Sequence, residues 1–324
     1  MKLTLSQNAW PIRGSFTISR GSKTHADTIV VNIEKDGIVG RGECVPYARY
    51  GESLDSVRAE IEAIRPLIEG EVSRQTLQQL LPAAAARNAV DCALWDLECK
   101  LAGNSIWHKV GIESGSVETA FTISLDSAEK MEEVAKANAF RPLLKVKLGG
   151  GEDLERLRAV RRGAPMAKII IDANEAWTES LYRSLIPELL MLDIAMIEQP
   201  FPADNDAILA DLPRPIPICA DESCHDRQSL VNIVGRYDMI NIKIDKTGGL
   251  TEGLLLKKEA QRLGLKVMVG CMLSSSLSMA PAFVLAQGVD IVDLDGPLLL
   301  AEDIENGFDF RDNEMLPFTR QLWG

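Results

Sequence analysis

The sequence predicts an α/β barrel of eight repeated units, preceded by a separate α+β domain. Three observations carry this expectation. Short β-rich runs recur about every 25 residues from position 117 onward, with helical patterns between them. Strands alternating with helices imply a parallel sheet, and eight such units close into a barrel. No G-x-G-x-x-G follows any of the runs, which weakens the case for an open, doubly wound sheet. The chain has 324 residues, enough for about two domains at roughly 100–200 residues each.

The elements follow in order. Residues 3–16 and 26–33 read as strands, and Asp36-Gly37 reads as a hairpin turn. Helices then dominate. Positions 83–101 set Val90, Leu94, Leu97 and Leu101 on one stripe that stops at Gly103. Two polar loops, 19–25 and 44–53, are either covers for a barrel mouth or ordinary surface turns. We expect this α+β capping domain to span 1–115. Barrel strands are expected at 117–124, 143–148, 167–172, 194–199, 216–221, 239–244, 265–270 and 290–295, within a catalytic domain over 116–300. A helix with Asp and Ser cap residues is expected over 126–138. Residues 267–289 carry no charge and are long enough to span a bilayer. Their serines, Pro281 and Gln287 fit a buried strand, a serine-rich loop and a packed helix better. The segment 301–324 is expected to pack back on the capping domain.

Composition removes several function classes. Hydrophobic residues make up 46% and charged residues 25%, as in folded proteins. Lys and Arg number 35 against 47 Asp and Glu, a net charge of −12. Such a surface repels phosphate backbones and anionic headgroups, so neither nucleic acid nor membrane is an expected partner. The histidines are His25, His108 and His225, too few for a His-rich metal cage. Cys44, Cys92, Cys99, Cys219, Cys224 and Cys271 form no C-x-x-C pair, and the first residues show no apolar signal segment. Reduced thiols and a cytoplasmic location are expected. A homo-oligomer is left open.

Charge gathers where buried strands should be apolar. Lys145 and Lys147 lie on the second expected strand, and Lys243 and Asp245 on the sixth. The third, fourth and fifth end in Asp172, Glu198 and Asp221, and the eighth in Asp293 and Asp295. Barrel active sites are built at these C-terminal ends. Three carboxylates without Cys or His suit a hard cation, Mg2+ first and Mn2+ as the alternative. Salt bridges to the lysines are the plain alternative. Strands two and six stand opposite in an eight-membered ring, so Lys147 and Lys243 can face a substrate from two sides. One removes a proton and the other returns one, inverting a carbon beside a carboxylate. A base lysine needs its pKa lowered to about 7–8, and Lys145, two residues from Lys147 on the same strand face, is the neighbouring cation expected to do this to Lys147. Asp293 and Asp295 either attract an ammonium group or serve a cap or turn before Gly296-Pro297.

K-V-K at 145–147, D-A-N at 172–174, I-E-Q-P at 197–200, A-D-E-S at 220–223 and N-I-K-I-D-K-T-G-G-L at 241–250 resemble the enolase superfamily, muconate-lactonizing subgroup. A-R-N-A-V-D-C-A-L-W-D-L at 86–97 extends the resemblance into the first domain. Within the subgroup, K-I-D-K-T-G-G, G-C-M-L at 270–273 and D-L-D-G-P at 293–297 are similar to the L-Ala-D/L-Glu (dipeptide) epimerases. The resemblance implies a (β/α)7β TIM-like barrel under an α+β capping domain. It implies an isomerase that epimerises L-Ala-D-Glu through an enediolate, in peptidoglycan recycling. Asp172, Glu198 and Asp221 would bind magnesium, and Lys147 and Lys243 would be the acid–base pair. Lys145 would assist at the substrate carboxylate, and Asp293 and Asp295 would hold the dipeptide ammonium. Thr122 would touch substrate, and Arg20 and Lys23 would reach the glutamate side chain.

Other readings compete. An o-succinylbenzoate synthase, an N-acylamino-acid racemase or a cycloisomerase would use the same metal and lysines, but such substrates lack an ammonium for the D-L-D pair. An epimerase of a different dipeptide is a further alternative. A Schiff-base aldolase would use one lysine and leave the carboxylate trio unexplained. A non-catalytic dipeptide-binding barrel would not exchange the substrate's α-proton.

Overall fold

The computed structural model describes residues 1–311 and 314–324. Three antiparallel strands open the chain: β1 (Lys2–Ile18), β2 (Gly21–Lys35) and β3 (Ile38–Cys44). Asp36 and Gly37 both have positive φ, 53° and 77°, the backbone that a tight hairpin needs. The sheet packs on the helix Ala85–Ala102, which Gly103 ends in the left-handed conformation. A Cβ on Gly42 would overlap the Ala89 carbonyl, so only glycine permits this approach. Ile29, Val31, Ile33, Val57, Ile61 and Leu77 fill this domain's core.

Residues 19–25 differ from the expected loop. Both strands run on, and β1 and β2 pair as far as Ile18 and Gly21. Lys23 therefore sits on a strand and Arg20 at a hairpin tip. This long arm carries its polar tip to the barrel.

The barrel strands are β5 (Phe121–Ile123), β6 (Leu143–Lys147), β7 (Lys168–Asp172), β8 (Ile194–Glu198), β9 (Ile218–Ala220), β10 (Met239–Ile242), β11 (Lys266–Gly270) and β12 (Ile291–Asp293). They follow β4 (Val117–Glu118) and form one eight-stranded parallel sheet in chain order. The Ala120 N–H donates to the Val292 carbonyl at 2.9 Å, and the Leu294 N–H to Thr119 Oγ1 at 2.8 Å. These contacts bring the first and last strands together and close the ring. The expected first strand is split, because its start, β4, pairs instead with β14 (Glu314–Met315), itself paired with β13 (Phe310–Arg311).

Two further differences have local causes. The fifth strand begins at Ile218 rather than 216, since Pro215 and Pro217 cannot donate to a ladder. The sixth ends at Ile242, and residues Ile244–Thr247 form a helical turn. Asp245 thereby leaves the mouth. Its Oδ1 accepts the Val45 N–H at 3.0 Å and the Asn88 amide at 2.8 Å, tying the barrel to the capping domain. Its carboxyl is pushed up to about 7 by burial, against these two hydrogen bonds.

The uncharged stretch resolves into β11, the loop serines and the buried helix Ser276–Ala286. Among the described residues no helix is long and apolar enough to cross a membrane. The end of the chain returns to the capping helix. Trp323 Nε1 donates to the Arg41 and Cys92 carbonyls at 3.0 and 3.1 Å, and the Gly324 N–H to Asp96 at 2.7 Å.

Inside the ring, Ala120, Leu143, Ile170, Met196, Cys219, Met239, Met268 and Ile291 form an apolar layer, drawn from around the whole barrel. Side chains two residues further along a strand share its face. Two residues on from each of these stand Thr122, Lys145, Asp172, Glu198, Asp221, Asn241, Gly270 and Asp293. The pleat thus places a polar layer directly above an apolar one.

Candidate active site

The polar layer is buried and densely paired. One ligand oxygen from each of Asp172, Glu198 and Asp221 can be chosen so that all lie within 4.8 Å of one another. Lys145 Nζ reaches Glu198 at 2.7 Å, Asp293 at 2.7 Å and Asp172 at 3.4 Å. Burial alone would lower the Lys145 pKa, but these carboxylates hold it well above the usual lysine range. Lys147 Nζ lies 2.6 Å from the same Asp172 oxygen. Lys243 Nζ lies 2.6 Å from Asp221 Oδ2.

Lys243, on the opposite side, is held charged. Burial pulls its pKa down, but Asp221 and Glu198 outweigh burial and hold it well above its ordinary value. Lys145 counts against the proton there, but it is itself shared among three carboxylates. A cation that took this Asp221 oxygen would compete with Lys243 for it and so work against this clamp.

The residues fit a hard cation. All three carboxylates are at most 2% exposed, and Glu198 Oε2 makes no hydrogen bond despite its ion pair with Lys145. Its other oxygen accepts the Asn241 amide at 2.7 Å. A Cβ on Gly270 would stand 2.7 Å from Asn241 Oδ1, so the next strand leaves room for this amide. The loops after the third and fourth strands are held in left-handed backbone at Asn174, Glu175 and Gln199, with φ of 46°, 66° and 38°. Strain of this kind persists where the surroundings over-determine it. Asp172 Oδ1 accepts the Asn174 N–H at 2.9 Å, and Gln199 Oε1 accepts the Asp221 and Ser223 N–H groups at 2.9 and 3.2 Å.

Two adjoining cavities open above this layer. The larger, about 470 Å³, is lined by Lys147, Lys243 and Asp221 from the barrel. Arg20, Lys23, Tyr47 and Tyr50 face it from the capping domain. The smaller, about 30 Å³, is lined by Thr122, Lys145, Lys147, Asp293 and Asp295. All eleven side chains singled out from the sequence are therefore in or beside one mouth. Three are arranged otherwise than expected. Asp295 lies past the strand end, and its Oδ2 accepts the Thr122 N–H at 2.6 Å. Burial, then the Asp293 charge, push its carboxyl up to about 7. Asp293 gives Oδ2 to Lys145 and keeps Oδ1 without a hydrogen bond.

Arg20 is the third. Its terminal nitrogens donate to the Asn174 carbonyl, Glu175 and Tyr47, each at 3.2 Å, and to Glu222 at 2.8 Å. These contacts tie the hairpin tip to the barrel, and the side chain also lines the larger cavity. Glu222 is pushed up to about 7 by burial and by the Asp221 and Asp172 charges. Lys23 forms no ion pair among the described residues and lies 5.8 Å from the Tyr47 ring centre. Sequence reasoning missed Asn241, Glu222 and Lys246. Asn241 was findable, since it occupies on strand six the level that Asp172 and Glu198 occupy on theirs.

Comparison with known proteins agrees with the geometry. Residues 1–111 match the model of the mandelate racemase/muconate lactonizing enzyme N-terminal domain, and 126–316 match the enolase C-terminal domain-like model. The L-Ala-D/L-Glu epimerase of Escherichia coli (strain K12) is 45% identical over 312 residues, covering 95% of this chain and 97% of its own. An N-acetyl-D-glutamate racemase of a Pseudoalteromonas species is 41% identical, covering 91% and 95%. An enolase family member from Agrobacterium tumefaciens, solved with sodium and L-Ala-L-Glu, superimposes with a TM-score of 0.98 at 50% identity, over 99% of both chains. A dipeptide epimerase from Cytophaga hutchinsonii, solved with Mg and D-Ala-L-Val, gives 0.90 at 27% identity, over 99% and 94%. Matched in both its domains and along nearly its whole length, the chain belongs to the enolase superfamily, in the mandelate racemase/muconate lactonizing enzyme group.

Proposed function

We propose that this protein is a dipeptide epimerase acting on L-Ala-D-Glu and L-Ala-L-Glu, with Mg2+ as its metal. One observation carries the reading: Lys147 and Lys243 line a single cavity from strands four positions apart in the ring, each against a carboxylate of the same acidic trio. One lysine removes the α-proton of the C-terminal residue. The other delivers a proton to the opposite face, so the configuration inverts. Asp172, Glu198 and Asp221 hold the metal. When bound, Mg2+ supplies Lewis-acid charge beside the substrate carboxylate. Lys145, buried and tied to Glu198 and Asp293, adds a fixed positive charge nearby.

Asp293 and Asp295 take the dipeptide ammonium in the smaller cavity, with Thr122 setting the Asp295 rotamer. This pair favours a free dipeptide over an N-acylated amino acid. Lys23 faces the glutamate side chain. The capping domain over 1–115 and the barrel over 116–300 enclose the substrate between them, and 301–324 braces the two. A cytoplasmic location fits six unpaired cysteines, and the substrate class fits peptidoglycan recycling.

The test is α-carbon exchange of L-Ala-D-Glu and L-Ala-L-Glu in heavy water, followed by nuclear magnetic resonance. Mg2+-loaded enzyme is expected to exchange and invert both. EDTA is expected to abolish turnover and added Mg2+ to restore it. Full activity in a verified metal-free preparation, or no exchange with either dipeptide, would overturn the reading.

A further inference from the structure

Lys246 is the one lysine of this region that lines neither cavity. Its side chain has no solvent exposure. It arises from the helical turn that ends the sixth strand, and points under Asp221. Its ammonium donates to Asp221 Oδ1 at 2.6 Å, to the Asp221 carbonyl, and to the Asn241 carbonyl at 3.1 Å. An ammonium has three N–H groups, so these acceptors use them all. Lys246 has no donor left for a substrate and no path to one.

Asp221 is thus bracketed by two lysines with different freedom. Lys243 faces the cavity and holds Oδ2, and Lys246 lies beneath and holds Oδ1. A cation entering from the cavity can displace the first but not the second. The charges then sort simply. Lys145 is shared among Glu198, Asp293 and Asp172, and Asp293, its partner outside the trio, cancels its charge so that the two add no net charge. The acidic trio carries three negative charges, and Lys246 cancels one of them permanently. What remains matches a divalent ion.

We propose that Lys246 is a positioning residue that acts through Asp221: it confines that carboxylate to one free oxygen and sets the trio's charge to balance a divalent cation. The consequence concerns the substrate, which brings a carboxylate to the loaded site. With Lys246 the loaded trio is neutral. Without it, the trio stays negative and repels that carboxylate. The role therefore weakens metal binding while strengthening substrate binding, whereas a merely structural role would damage both.

The test is Mg2+ titration calorimetry on metal-stripped wild type, Lys246→Met and Lys246→Arg, with KM for L-Ala-L-Glu at saturating Mg2+. Lys246→Met is expected to bind Mg2+ at least tenfold more tightly and to show a KM at least tenfold higher. Lys246→Arg, which keeps the charge, is expected to stay within about threefold of wild type in both. If Lys246→Met does not fold, Lys246→Gln replaces it, since its amide still donates to the main-chain oxygens. Unchanged or weaker Mg2+ binding in a cooperatively melting neutral variant overturns the proposal. So does a tenfold change in Mg2+ binding by Lys246→Arg, which decides the matter if neither neutral variant folds. The KM arm rests on the epimerase reading, while the Mg2+ arm needs no substrate. A wild type that turns over no dipeptide would therefore overturn that reading and leave Lys246 to the titration.

Discussion

At the scale of single residues, the site is a set of lysines and carboxylates that hold one another charged. Removing one member of a buried pair strands the other, at a cost of about 3–5 kcal/mol. Lys147→Ala and Lys243→Ala should each abolish epimerisation, since general acid–base groups contribute about 10²–10⁴-fold. Each variant should still exchange the α-proton of the epimer whose base it retains, which heavy-water exchange of the separate epimers will show. Epimerisation at wild-type rate by either variant would remove that lysine from the chemistry. Asp295 makes a second prediction. A charge-assisted hydrogen bond is worth about 1.5–3 kcal/mol, so Asp295→Asn should lower kcat/KM for L-Ala-L-Glu by about 10–100-fold. Wild type should reject the N-acetylated dipeptide, and the variant should lose most of that discrimination, because both changes concern one contact. The Asp295 carboxyl is pushed up to about 7, so it is neutral in acid and ionised in base. The wild-type preference for the free ammonium should therefore fade as pH drops below about 7. A preference that is flat from pH 6 to 8 would argue against this role for Asp295.

At the scale of elements, the β1–β2 arm decides how the mouth is covered. Its tip belongs to the capping domain by sequence and to the barrel by contact. Arg20 crosses from one to the other, meeting Glu175 and Glu222. If Arg20 is a latch, Arg20→Ala should raise KM about tenfold for L-Ala-L-Glu and L-Ala-L-Gln alike. Lys23→Ala should penalise the glutamate dipeptide alone, by about 10–100-fold for a lost charged contact. The six KM values, for wild type and both variants on both dipeptides, give the answer directly. Loss by Arg20→Ala confined to the glutamate dipeptide would return Arg20 to the substrate. This partnership was not legible in the sequence, because residues 20, 175 and 222 meet only once two domains are assembled. The barrel strands were legible, because their spacing and buried apolar runs are local properties.

At the scale of the whole molecule, two domains must stay docked for one site to exist. Asp245 is part of that joint. Its folded carboxyl sits at about 7, above the roughly 3.9 of an unfolded aspartate. The folded state then keeps a proton that the unfolded state has released. This contribution is full below about pH 4 and is lost as pH rises towards 7. Asp245→Asn keeps an acceptor for Val45 and Asn88 and has nothing to titrate. Its melting temperature should gain on wild type between pH 5 and pH 8, and parallel melting curves would refute the assignment. Reading Asp245 as a mouth residue failed for a physical reason: the chain changes from a two-residue to a helical period at Lys243, turning the side chain towards the capping domain. The carboxylate trio was readable because no such change intervenes before Asp172, Glu198 or Asp221. The ring's closure has a mechanical meaning as well. Where β5 meets β12, few main-chain bonds span the gap, and Asp295 and Thr122 face each other across it. That junction is a seam, and the proposed ammonium pocket is sewn into it. A ligand seated there would act as a stitch, bridging the two strands where the ladder is interrupted.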